Sequence, residues 1–162
     1  MQDPEIIVIQ KPNDQFLPQV IALLHEVPTA TIPLRGRSMR PFLEDGRDKA
    51  LLALTDSPKV GDAVLAEISK GRFVLHRIIA IKGKNVTLRG DGNLSCEYCH
   101  LEDIRAKALG FYRKGRDKLD STDGRKWRIY SWWWTRLFPI RRYLLFALHP
   151  HIPRRFRSHS KQ

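Results

Sequence analysis

Two short stretches of this sequence hold residue types that could do nucleophilic chemistry together. The first is Gly36-Arg37-Ser38-Met39-Arg40-Pro41. A serine two residues after a glycine and three before a proline sits where the chain must turn, which can hold its hydroxyl clear of regular structure. The second is Phe73-Val74-Leu75-His76-Arg77-Ile78-Ile79, a histidine inside an otherwise apolar run. An imidazole can take a serine proton when a third polar group fixes its tautomer. Neither stretch is specific alone: Gly and Pro flank Ser in many turns, and a lone histidine in a strand is commonly satisfied by a nearby carbonyl.

The strand after His76 supplies the third group. Gly83 suits the first central position of a two-residue hairpin loop, so Gly83-Lys84 pairs Lys82 with Asn85. Counting outwards sets His76 opposite Asp91, and cross-strand partners share a face about 5 Å apart. Slipping the loop by one residue sets His76 opposite Asn93 instead. Either register brings a polar orienter to the imidazole.

The elements that must position these groups read as a mainly β protein. Asp14 is placed to cap a helix over 15–26, with Phe16, Leu17, Val20, Ile21, Leu23, Leu24 and Val27 on one helical face and Pro18 in its first turn. From Thr29 to Arg89 short apolar runs are cut by Gly, Pro and Asp, a meander of strands over 32–34, 50–54, 63–68, 73–81 and 86–88. A further strand is expected over 106–112 and a loop over 113–125. The tail over 131–148 returns to helical spacing through Trp133, Leu137, Ile140, Leu144 and Leu148, kinked at Pro139, and becomes short and basic after Pro150. The expected organisation is an N-terminal helical segment (1–28), a catalytic core (29–128) and a basic aromatic tail (129–162).

The order and spacing of four boxes carry a resemblance. Gly36-Arg37-Ser38-Met39-Arg40-Pro41, Val60-Gly61-Asp62, His76-Arg77-Ile78 and Gly90-Asp91-Gly92-Asn93 together resemble the serine peptidase clan of type I signal peptidases and LexA-like self-cleaving repressors. The likeness spans roughly residues 31–112. It implies a core of antiparallel strands with Ser38 as nucleophile and His76 as base, in the place where bacterial signal peptidases and LexA carry lysine and the endoplasmic reticulum enzymes carry histidine. Asp91 matches the acid of the Gly-Asp box. The reticulum enzymes draw their acid from several residues further on, where this chain has Glu97, so the two compete; the hairpin count favours Asp91. Gly36, Met39 and Pro41 become candidate substrate contacts. Gly36 stands where many bacterial enzymes have a hydroxyl residue, which leaves an oxyanion to backbone amides such as that of Ser38. The activity implied is limited hydrolysis of a peptide or precursor protein, with no cofactor or metal.

Charge and composition bound the partners. Residues 1–104 hold 13 Lys/Arg against 14 Asp/Glu, and residues 105–162 hold 16 against 3, so the net charge of +12 arises in the last third. With Trp127, Trp132, Trp133 and Trp134, that tail fits a helix packed on the core, an interfacial helix on anionic lipid, or, least favoured, a nucleic-acid contact. No stretch is apolar enough to span a bilayer, so the expected location is cytoplasmic, peripheral to the membrane at most. Cys96-Glu97-Tyr98-Cys99-His100 fits the C-x-x-C-H pattern of haem attachment, which calls for an exported protein. A redox pair or half zinc site is the other reading, but the second ligand pair that a zinc site needs is absent. Ordinary loop cysteines are the expectation. The rival from another class is a non-enzymatic module whose tail does the binding.

Overall fold

In the computed structural model, residues 12–137 are described, together with 139, 140, 143, 144 and 147. The expected frayed basic stretch after Pro150 and the first eleven residues lie outside them. Strands β1 (Ala30–Pro33), β2 (Lys49–Ala53), β3 (Ala63–Ser69), β4 (Arg72–Lys82), β5 (Asn85–Arg89), β6 (Glu97–His100), β7 (Ile104–Tyr112) and β8 (Leu119–Ser121) form an eight-stranded sheet flanked by helices α1 (Asn13–Leu24) and α2 (Arg125–Arg136). Its order is β1-β2-β7-β3-β4-β5-β6, with β8 added to β7, and its pairings are antiparallel. The mainly β expectation therefore holds.

β3 explains why the sheet has two cores. Ala63 and Leu65 face one side with α1, α2, Leu52 and Phe111, while Val64 and Ala66 face the other with Ile78, Val86, Leu88 and Cys99. All four β3 residues are at most 2% exposed, as a strand covered on both faces requires. β7 runs through the middle: Lys107 lies between Ala53 on one side and Val64 on the other, and past it Gly110 lies between Leu51 and Ser121.

Several boundaries differ from the sequence expectations. α1 starts at Asn13 with Pro12 as its N-cap, whose carbonyl accepts from the Gln15 and Phe16 amides, and Asp14 lies within the first turn instead of capping it. Pro18 sits in the second turn, where it deletes the bond to the Asp14 carbonyl. Leu17, Val20 and Leu24 are buried as expected, but Leu23 is exposed. β6 and β8 were expected as loop; both are short ladders templated by a neighbouring strand, and β6 has one buried side chain, Cys99.

The tail helix starts six residues earlier than its apolar spacing suggested, and it packs through another face. Trp133 and Ile140, expected to point inward, are exposed. The inward residues are Trp127, Tyr130 and Trp134. Trp127 meets Phe42 edge-on at 4.8 Å and Phe111 at 5.0 Å, Tyr130 stacks on Phe42 at 4.5 Å, and Trp134 stacks on Tyr130 at 5.9 Å. These aromatic contacts lock the helix across the segment that follows Ser38.

Asp48 ties that same segment to the sheet. Burial would raise its pKa, but hydrogen bonds from Arg47 and from the Glu44 and Lys114 amides outweigh burial and hold it below the usual carboxylate range. The turn over 39–48 is thereby fixed as a rigid platform.

Candidate active site

Ser38 lies in the turn joining β1 to β2, and its backbone is pinned on one side. The Gly92 amide donates to the Ser38 carbonyl at 2.6 Å. Gly36 opens the turn with φ +87°, a left-handed conformation costly for any residue with a Cβ, and its amide donates to Asp45 Oδ1 at 3.0 Å.

The hairpin loop forms as expected, with Lys82 paired to Asn85 through Gly83-Lys84. A bulge between Ile78 and Ala80 then shifts the ladder by one residue, so that Ile78 faces Leu88 and Arg77 faces Arg89. Carried one step further, this register sets His76 beside Gly90 and not Asp91. Because strand side chains alternate, one residue of slip moves Asp91 to the opposite face of the sheet. There it meets Arg77: Arg77 Nε donates to Asp91 Oδ1 at 2.9 Å and Nη2 to Oδ2 at 2.7 Å. The expected orienting acid, Asp91, is thus paired with Arg77, and it acts on His76 through its charge: burial lowers the imidazole pKa, and this charge together with that of Glu97 works to raise it.

Glu97 takes that place. His76 Nδ1 lies 2.6 Å from Glu97 Oε2. Neither atom has a hydrogen bond of regular geometry, so the imidazole and the carboxylate are in close polar contact with the ring N–H off the line to the oxygen. Ile78, Leu88 and Glu97 form one row across β4, β5 and β6, and His76, two residues before Ile78, shares their face. Arg72 Nη2 donates to the other carboxylate oxygen, Oε1, at 3.2 Å. Sequence reasoning missed Arg72, a charged residue at a strand start without any distinguishing pattern.

The far edge of the imidazole closes on the serine turn. A Cβ built on Gly90 would stand 3.0 Å from His76 Nε2, 2.9 Å from Asn93 Nδ2, and well inside contact distance of the Ser38 carbonyl oxygen. A Cβ on Gly92 would stand 2.6 Å from the Arg37 carbonyl oxygen. Both glycines are thus required for the 90–93 turn to lie flat against the serine turn while the imidazole covers it. His76 is 3% exposed, and this burial lowers its pKa below the ordinary 6.5 against the raising influence of Glu97. The ring is therefore neutral near pH 7, as a proton acceptor must be.

Ser38, His76, Asn93 and Glu97 all line one cleft of about 940 Å³. Its apolar wall comes from Phe16 and Leu17 of α1, Ile32, Leu65 and Phe73. Of the expected substrate contacts, Gly36 and Met39 line it and Pro41 lies outside.

Arg77 joins the boxes from behind. Besides Asp91, its Nη1 donates to the Gly61 carbonyl at 3.1 Å and to Ser131 Oγ of α2, and its guanidinium lies over Trp127 at 4.5 Å. Trp134 Nε1 donates to the Asp91 carbonyl at 2.9 Å. Gly61, Asp91 and α2 are thus tied into one unit around the buried Arg77 guanidinium.

The cysteines stand apart from this unit. Cys96 and Cys99 are both unpaired by disulfide, and burial pushes the Cys99 thiol up to about 11. Among the described residues no cluster of His, Cys, Asp and Glu could hold a metal ion, and no helix is long and apolar enough to cross a membrane. No protein-family model and no curated protein sequence matches this chain.

Proposed function

We propose that this chain is a serine endopeptidase of the signal peptidase and LexA-like kind, with Ser38 as nucleophile, His76 as general base and Glu97 as the acid that orients it. The observation that carries the reading is the meeting at Gly90: His76 Nε2 and the Ser38 backbone approach one point, while His76 Nδ1 rests on a carboxylate. A buried, neutral imidazole with an acid on one nitrogen and a serine turn beside the other is the arrangement that acyl transfer needs.

In the proposed reaction His76 Nε2 takes the Ser38 Oγ proton as Oγ bonds to the scissile carbonyl carbon. The amide C–N bond then breaks, the imidazolium returns its proton to the departing amine, and an ester on Ser38 remains. Water, deprotonated by His76, attacks that ester, the ester C–O bond to Ser38 breaks, and the imidazolium returns its proton to Ser38 Oγ as the acid product leaves. Among the described residues the Ser38 backbone amide donates to no other group, so it is available to the oxyanion. The apolar cleft wall suits an extended peptide with apolar side chains next to the scissile bond.

The test is covalent labelling with a fluorophosphonate probe, read by intact mass. The native chain should gain one adduct on Ser38, Ser38→Ala should gain none, and His76→Ala should react slower by roughly 10²-fold or more. Equal labelling of Ser38→Ala and the native chain would overturn the assignment. So would a native chain that stays unlabelled yet binds nucleic acid tightly, the mark of a non-enzymatic module.

A further inference from the structure

α2 has two apolar faces, and the core uses one. Trp127, Tyr130, Ser131 and Trp134 face the sheet, whereas Ile129, Trp132 and Trp133 are 58%, 49% and 55% exposed. The exposed three recur at helical spacing, so they form one stripe. Arg136 continues the stripe, its guanidinium 4.3 Å from the Trp132 ring centre, and past the end of the helix Ile140 and Tyr143 are also exposed. Core packing accounts for the inner face alone. Two indole rings and an isoleucine left in water on a single helix face call for a partner.

The charge around the stripe selects that partner. From residue 125 to the last residue the sequence has ten Lys/Arg and no Asp/Glu. Arg125, Lys126 and Arg128 precede the stripe and Arg136 interrupts it. Beside it a depression of about 860 Å³ between α2 and the sheet brings Lys59 and Val60 next to Arg128 and Trp132; Val60 is itself 60% exposed. Asp62 and Asp123 also line this depression, and Asp62 is paired with Lys107 at 3.1 Å. The patch is therefore a band of indole and aliphatic groups bordered by cations and extended from helix to sheet.

We infer that this face docks on the surface of an anionic lipid bilayer, with Ile129, Trp132 and Trp133 at the level of the headgroups and the flanking arginines and lysines on lipid phosphates. Indole rings favour the headgroup boundary, where an apolar body and a polar N–H are both satisfied, and each nearby cation adds attraction to an anionic surface. A nucleic acid would use the cations and the indoles but would gain nothing from Ile129, Val60 and Ile140, which cannot stack on bases. The inference does not depend on the peptidase reading, since vesicle binding needs no catalysis.

The experiment is co-sedimentation of the full chain with phosphatidylcholine vesicles and with vesicles carrying a substantial fraction of phosphatidylglycerol, at low and high salt. The native chain should pellet with anionic vesicles at low salt, with its tryptophan emission shifted to the blue, and should release as salt rises. The triple variant Ile129→Ser, Trp132→Ser, Trp133→Ser alters exposed side chains alone, so its circular dichroism should be unchanged while vesicle affinity falls roughly tenfold or more. Absence of pelleting with anionic vesicles at low salt overturns the inference. So does equal pelleting of the folded triple variant, or tighter binding of the native chain to a single-stranded oligonucleotide than to the vesicles.

Discussion

Arg77 and Asp91 form a two-point ion pair, 2.9 and 2.7 Å, in which the side chains are 1% and 2% exposed. The pair joins the strand that carries His76 to the 90–93 turn, whose Gly92 amide holds the Ser38 carbonyl, so under the proposed reading it positions both residues. Asp91→Asn leaves the Arg77 guanidinium buried without its counter-charge and should cost about 3–5 kcal/mol of folding stability. Urea denaturation followed by tryptophan fluorescence measures this; a loss under about 1 kcal/mol would show the pair to be dispensable.

Glu97 should behave differently. Its carboxylate opposes the lowering of the His76 pKa by burial, so Glu97→Gln should move the acid limb of the probe-labelling rate to lower pH while cutting the plateau rate by roughly 10²–10⁴-fold. Stability carries the matching sign. With the folded-state value of His76 below 6.5, the unfolded chain binds the proton first on acidification, so stability is full above about pH 6.5 and declines as pH falls from there towards the folded value. Glu97→Gln widens the gap and should steepen that decline. An acid limb that stays in place would show that Glu97 does not act on the imidazole.

Gly90 has no room for a side chain. Gly90→Ala would drive a methyl group into the Ser38 carbonyl and against His76 Nε2, which are a backbone atom and a buried ring, so neither yields cheaply. The expected result is a folded protein with at least roughly 10²-fold slower Ser38 labelling. A labelling rate within twofold of native would show that the two turns are not held together there.

Cys99 and Cys96 should separate in alkylation. At pH 8 a thiol pushed up to about 11 is roughly one part in a thousand thiolate, so iodoacetamide should modify Cys96 first and reach Cys99 after unfolding. Intact mass should show one adduct on the native protein and two on the denatured protein. Equal rates on the native protein would contradict the burial of Cys99.

Much of the framework was legible because it depends on local patterns. The apolar runs give β2, β3, β4, β5 and β7, Gly83-Lys84 gives the hairpin, and three of the four boxes supply Ser38, His76 and Asn93 to the cleft, whereas Glu97 comes from outside them. β6 was illegible because Glu97, Tyr98 and His100 carry no apolar alternation; it is a strand because the β5 edge offers it a ladder. The inward face of α2 was misread for a similar reason: Trp127 and Trp134 are selected by Phe42, Arg77, Phe111 and Asp91, all distant in the chain.

The sequence alone determined which chemical groups are present, a serine in a turn, a histidine in a strand and two acids beyond it, because residue type and short-range spacing are local properties. Which acid reaches the histidine was decided by the fold. One bulge at Ile79 adds a residue to β4, and in a structure with a period of two that sends Asp91 to Arg77 on one face and leaves Glu97 for His76 on the other. A bulge is set by how the whole sheet twists and packs, and no pattern around Ile79 announces it.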